Sequence, residues 1–278
     1  MPVTIHECIR VARCFLKHRF STGQMQLPQL QAGDAADFIL SVSPGYGRRY
    51  LQTMASRLRG FFRFLVQRGY ITAPLADTVP TVAVRRLSDL PRYLETRDVE
   101  KVLGSCDRRT NIGKRDYAIL LLLARLGLRA HEVARLCLEE IDWNAGEVCV
   151  RGKGHRLDRL PLPKDVGEAI ASYLKIRRGG TPTRRVFLRS KAPYEGLVAE
   201  TVGSVVDRAL ERVQLHPPHR GAHLLRHSLA TRMLKNGVPM AEIGQVLRHK
   251  LAQTTAIYAK VDLNALRLLA QPWPGGAQ

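Results

Sequence analysis

Eight side chains of the 278-residue sequence stand where they could act together. Arg129 follows Leu126-Gly127-Leu128 at a break between two helical patterns. Glu132 lies three residues on, along the same helical face, where a carboxylate can orient a guanidinium. His223 and Arg226 are i, i+3 on one predicted helix and also share a face. Arg248-His249 comes later, and Tyr258 stands nine residues past that histidine, preceded by Thr254-Thr255-Ala256-Ile257. Lys153 sits in Gly152-Lys153-Gly154-His155-Arg156, a basic tip between two strand-like runs. A guanidinium is planar, stays charged and matches the oxygens of a phosphate, so the chemistry this set suits is capture of a phosphate by fixed cations. Lysine, histidine and tyrosine beside such a site can move protons.

Each residue also has an ordinary reading. A lysine on a hairpin tip is usually solvated, a tyrosine in isolation is more often a half-buried aromatic than a nucleophile, and Glu132 alone would pass for a surface helix charge. His219, His223 and His227 repeat at four-residue spacing, as zinc ligands on a helix would. Pro217-Pro218 and Gly221 place His219 ahead of the helix, and no carboxylate or cysteine lies near in sequence. No metal is therefore expected, and His227 reads as a packed or capping residue. The Gly-Lys-Gly tip is not a Walker loop: the chain has no GxxxxGK[ST], and this loop joins strand to strand.

Composition narrows the partner. There are 44 Lys plus Arg against 24 Asp plus Glu, a net charge of +20, and both the N-terminal and C-terminal parts are basic. Such an excess points to a polyanion. The longest aliphatic run, residues 118–124, ends at Arg125 and is far short of the roughly 20 residues of a membrane span. The N-terminus has no basic patch followed by an apolar stretch, so no secretory signal is expected. Five scattered cysteines without a CxxC pair argue against a disulfide framework or cysteine zinc site and fit a reducing cytoplasm.

The elements that must hold these residues follow from periodicity. Helical patterns run over residues 4–20, from Gly33-Asp34 onward, and over residues 46–68. The last is apolar on one side and carries Arg48, Arg49, Arg57, Arg59, Arg63 and Arg68 on the others. It reads as a phosphate-facing helix, with a solvated surface helix as the alternative. Residues 78–92, with Pro80, Pro91 and the pair Arg85-Arg86, read as a linker that tracks a nucleic-acid backbone. Thr96 is the expected N-cap of the next helix. Residues 115–126 predict a buried helix, 131–138 a short one, 147–151 and 157–162 a hairpin, 164–176 a helix and 186–188 a further strand. Helices are expected over 202–213, 221–236 with Gly237 as its C′ residue, 240–247 and 253–260, and an amphipathic segment from Asp262 to Ala270.

Taken together, the stretches LGLRAHEV around Arg129, RGKGHRLDRLPLP around Lys153, HLLRHSLATRML from His223 and VLRHKLAQTTAIYAKV around His249 and Tyr258 resemble the tyrosine recombinase (phage integrase-like) family, in its order, across most of residues 92–262. The resemblance implies a mainly α fold with a small antiparallel sheet (α+β), arranged as a two-domain C-shaped DNA clamp. Residues 1–85 would be a helical core-binding domain, with an upstream helix of relatives expected to be missing. Residues 86–94 would be the linker, and 95–278 the catalytic domain with a C-terminal exchange segment carrying Leu263, Leu266, Leu268 and Leu269. The implied activity is site-specific cutting and rejoining of DNA through a 3′-phosphotyrosyl intermediate, as in integration, excision or transposition. By the resemblance, Tyr258 is the nucleophile, Arg129 and Arg226 hold the non-bridging oxygens, and His223 and His249 bond the same phosphate, His223 being also a candidate to take the tyrosine proton. Lys153 protonates the leaving 5′-oxygen, and Glu132 supports Arg129. No cofactor is needed, because the covalent link keeps the bond energy.

Duplex DNA is the implied partner, met by a homo-tetramer on paired sites, alone or with sister recombinases, in the cytoplasm and on the nucleoid when DNA-bound. Arg48, Arg49, Arg57, Arg59, Arg63, Arg85, Arg86, Arg156 and Arg248 are the candidate DNA contacts. One departure stands out: many relatives have Leu-Gly-His before the tyrosine, and here Arg248 fills the glycine position. The competing functions are a non-catalytic DNA-binding accessory protein, a type IB topoisomerase-like relaxing activity and a metal-dependent nuclease.

Overall fold

Apolar residues three and four apart build the N-terminal part of the chain. The computed structural model describes residues 2–21, 24–83, 92–152, 157–177, 183–249 and 251–261, and it divides into two units, Met1–Ser88 and Asp89–Gln278. In the first, α1 (Pro2–Arg19), α2 (Asp34–Val42) and α3 (Arg48–Gln67) pack with short 3-10 turns at Leu27–Gln29, Ser43–Gly45 and Leu75–Thr78. Leu51, Met54, Ala55, Leu58, Phe62 and Leu65 form the inward stripe of α3. Fully buried Phe15 meets Phe38 and Phe62 edge-on, with ring centroids 5.7 and 5.4 Å apart, the geometry that the ring quadrupoles favour.

The second unit forms around one helix. It comprises α4 (Thr96–Gly104), α5 (Asn111–Arg125), α6 (Ala130–Arg135), strands β1 (Ile141–Asp142), β2 (Glu147–Arg151) and β3 (Leu157–Pro161), α7 (Lys164–Leu174), α8 (Ala199–Arg212), α9 (Ala222–Lys235), α10 (Met240–Val246) and α11 (Ala252–Thr255), followed by a 3-10 segment, Ala256–Val261. Every residue from Ala118 to Ala124 is buried, so α5 is apolar all round and takes neighbours on every side. The strands form an antiparallel sheet in the order β1-β2-β3, with Val148 opposite Leu160 and Val150 opposite Asp158. Val148 and Val150 face the core. The β2–β3 pair is the expected hairpin, and its tip, with Lys153 and Arg156, lies outside the described residues, as do Arg85, Arg86 and the leucines from Leu263 on.

Several expectations change. The buried trio Val186-Phe187-Leu188 is not a strand, because its backbone is shared among separate partners: Val186 N–H donates to Leu136 O, Phe187 O accepts from Leu197 N–H, and Leu188 N–H donates to the Tyr173 hydroxyl. Thr96 is the first helical residue rather than the N-cap; the cap position is Glu95, whose carboxylate accepts from Lys235 Nζ at 2.8 and 3.0 Å instead of capping. The helix expected over 253–260 divides into α11 and the 3-10 segment. No helix among the described residues is long and apolar enough to cross a membrane.

Four helices of this unit end on a left-handed residue, the conformation that closes a helix by pairing its last carbonyls. These are Gly127 after α5 (φ 58°), Gln214 after α8 (φ 56°), Gly237 after α9 (φ 79°) and Arg248 after α10 (φ 54°). Glycine is the usual residue there, since an L side chain crowds the backbone. Gln214 and Arg248 break that rule.

Candidate active site

The chain leaves α5 through Gly127 and turns into α6 at Arg129, the residue that caps α6. Gly127 is needed twice over: its φ is positive, and a Cβ there would lie 2.9 Å from Leu247 Cδ2 and 3.0 Å from Leu229 Cδ2. This close approach lets the loop that carries Arg129 pack on the end of α10, the loop that carries His249.

Arg226, on α9, binds the two loops together. One terminal nitrogen of its guanidinium donates to Gly127 O and the other to Leu247 O. Both carbonyls belong to helix C-terminal ends, where a cation is favoured. The side chain is 3% exposed. Burial, then the charges of Arg129 and Arg248, pull its pKa down to about 10, so it stays cationic at neutral pH.

Glu132 is the carboxylate of this site. It occupies the first turn of α6, where its Oε2 accepts the Arg129 backbone N–H at 2.8 Å and its Oε1 accepts the Arg129 guanidinium at 2.8 Å. The i, i+3 spacing therefore does two things: it satisfies an unpaired N–H at a helix start and it aims a guanidinium. Oε2 also accepts from Arg248 at 2.8 Å. Burial pushes the Glu132 carboxyl up, but the Arg248 charge and the two Arg129 bonds outweigh it and hold the carboxyl below its ordinary value. Two guanidiniums thus bond one carboxylate while the Arg226 charge acts on it from nearby, an excess of positive charge that an anion would balance.

His249 follows on the α10 loop, its Nδ1 2.9 Å from the hydroxyl of buried Thr255. Gly244 leaves room for that threonine, since a Cβ would come 3.0 Å from its oxygen. Burial, then Arg226 and Arg129, lower His249 to about 4. His223, which keeps an exposed edge, is lowered by partial burial and by the same two arginines.

Tyr258 lies in the 3-10 segment, packed with Leu229, Ala230, Ile243 and Leu247, and is 1% exposed. Burial pushes its hydroxyl up to about 12, and Arg226 is near enough to pull the other way. The imidazole that meets it is His227, Nδ1 to hydroxyl 2.8 Å, and not His223. Burial, then His223 and Arg226, lower His227 to about 4. With the imidazole near 4 and the phenol near 12, both groups are neutral at pH 7, and the tautomer of the imidazole sets which of them donates. The reading of His227 as a packed or capping residue misses this bond; its place one turn after His223 on the same helix face is the signal the sequence offers.

The arginines of α3 divide. Arg48, Arg49 and Arg63 are exposed. Arg57 donates to Glu7 Oε2 at 2.9 Å, and Arg59 donates to the carbonyls of Val79 and Pro80 at 3.0 and 3.1 Å. Arg248 turns inward, its side chain 6% exposed.

The description of the phage integrase family matches residues 92–264. A Sinorhizobium fredii protein named integrase/recombinase y4rA is 51% identical over 96% of this chain, which spans 66% of that protein's length. Tyrosine recombinase XerC of Azotobacter vinelandii is 31% identical over 80% of this chain and 73% of its own. Among solved structures, the XerH site-specific recombinase bound to palindromic difH substrate matches with a TM-score of 0.72, at 19% identity, over 94% of this chain and 77% of that one. At that identity the likeness speaks for the fold: mostly helical with a small antiparallel sheet.

Proposed function

The chain belongs to the phage integrase family, the tyrosine recombinases, and from that premise we propose that it cuts and rejoins DNA strands with Tyr258 as nucleophile. The observation that carries this reading is the convergence of Arg129, Arg226 and His249 on two helix-end loops, with a phenol packed beside them. The two guanidiniums take the non-bridging oxygens of a backbone phosphate, where fixed donors contribute most as charge builds up in the transition state. The Tyr258 oxygen bonds to phosphorus as the bond from phosphorus to the 5′-oxygen breaks. The phenolic proton leaves toward an imidazole as the new bond forms; His227 is the one that holds the hydroxyl before it emerges. Lys153, on the β2–β3 tip, gives a proton to the 5′-oxygen. His223 and His249 bond the same phosphate.

The described arrangement is the closed state of the nucleophile. A hydroxyl that is buried, protonated and bonded to His227 has to emerge before it meets phosphorus. The elements that hold it are short, a four-residue helix and a six-residue 3-10 segment, and such elements rest on packing rather than on their own hydrogen bonds. Duplex DNA is the substrate in this reading, and a tetramer on two paired sites is the working assembly; light scattering on synapsed duplexes would return four chains, and a lone monomer would defeat the assembly.

The test is covalent capture. The protein is incubated with nicked suicide duplexes of randomised centre and denatured in detergent. A protein–DNA adduct is expected with the wild type and none with Tyr258→Phe. An adduct of equal yield in the phenylalanine variant would overturn the assignment.

A further inference from the structure

Arg248 occupies a place that is costly for an arginine. Its backbone is left-handed at φ 54°, at the end of α10 where His249 N–H closes on Gly244 O at 2.9 Å, and a glycine would sit there without crowding. Its side chain is 6% exposed, and its Nε–H has no partner among the described residues. Both costs would vanish with glycine. What the side chain gains is two contacts: one terminal nitrogen donates to Glu132 Oε2 at 2.8 Å, and the other donates to Val246 O, on its own helix end, at 3.3 Å. The same oxygen takes the Arg129 backbone N–H, and its twin takes the Arg129 guanidinium. In return, Arg129 reaches back to the Arg248 carbonyl at 3.4 Å.

From this closed circuit we infer that Arg248 is a positioning residue for strand cleavage: by gripping one oxygen of Glu132 it fixes the carboxylate plane, and the plane fixes the guanidinium of Arg129 opposite that of Arg226. The inference rests on the strand-cleavage reading above. Arg129 bonds both oxygens, through its backbone N–H and its guanidinium, but both bonds come from one residue and can shift with it. Arg248 anchors Oε2 from a second element, so the carboxylate and the guanidinium bonded to it are tied to the end of α10 as well as to α6. Arg248 faces inward, so it serves the site through Glu132 and not as a contact to DNA outside it.

The test uses the same nicked duplex pool, with single-turnover adduct formation at saturating DNA as one readout and DNA affinity as the other. Arg248→Gly relieves the backbone and removes the grip. It is expected to slow adduct formation about 10- to 100-fold, the scale of a small misplacement at a reacting centre, with affinity and its salt dependence within about twofold of wild type. Arg248→Lys keeps the charge without the fork and is expected to fall between the two, and it decides the matter if the glycine variant does not fold. Arg129→Lys combined with Arg248→Gly is expected to be no slower than Arg129→Lys alone, because both remove one unit. Wild-type cleavage rates in both Arg248 variants, losses that multiply with Arg129→Lys, or a defect confined to affinity with a shallower salt slope would each overturn the inference while leaving the cleavage reading intact. Failure of the wild type itself to form an adduct would overturn both.

Discussion

At the scale of single residues, the site is set by three groups held away from their ordinary protonation. His227 and His249 are lowered to about 4 and Tyr258 is raised to about 12, burial leading in each case. The unfolded chain takes up a proton on each histidine near 6.5, while the folded chain resists until about 4, so folding stability is full above 6.5 and falls as pH drops toward 4. For the phenol the direction reverses: stability is full below 10 and falls as pH rises toward 12. Thermal melting is therefore expected to hold level between about pH 6.5 and 10 for these groups. His227→Gln should close on wild type as pH falls from 6.5 to 4, and Tyr258→Phe should close on it above pH 10. Gaps that stay constant with pH would contradict the buried contact. Of these residues, Arg129, Glu132, His223 and Arg226 were legible because helical spacing alone puts each pair on one face. The His227–Tyr258 bond was not, since it joins two elements whose packing no local spacing encodes.

At the scale of elements, the site depends on how helices end. Gly127 combines a positive φ with contacts to Leu229 and Leu247 that leave no room for a methyl. Gly127→Ala is expected to cost about 2 kcal/mol or more, from left-handed backbone and overpacking together. Gly60 lies inside α3 with nothing within 4 Å of a Cβ, so Gly60→Ala should instead stabilise by about 0.5–1 kcal/mol. Melting of the two variants would check both signs; equal losses would show that φ and crowding at Gly127 do not matter. Strong periodicity made α3 readable from sequence, the continuous apolar run 118–124 marked α5, and Pro217-Pro218 and Gly237 bracketed α9. The buried run 186–188 misled because apolar character signals burial and says nothing about whether one partner or three take the backbone bonds. Two-residue β1 exists only through β2 and had no signature of its own.

At the scale of the whole molecule, the net charge of +20 is the largest handle on function. Binding to duplex DNA is expected to weaken with salt, log K falling against log salt by about 0.9 for each phosphate neutralised. Arg49→Ala or Arg63→Ala, both exposed, should reduce that slope by about one contact. Arg57→Ala removes the bond to Glu7 and should act on melting temperature more than on the slope. Binding titrations across a salt series separate the two, and an unchanged slope in both exposed variants would remove α3 from the DNA-facing surface. Arg226 has a consequence for how any of this is dissected. Because its nitrogens rivet Gly127 to Leu247, trimming the side chain loosens the scaffold as well as the anion grip, and an inactive variant could owe its silence to either. The clean separation comes from the nucleic acid: exchanging a single phosphate oxygen for a neutral methyl asks the guanidinium for less while the polypeptide stays untouched.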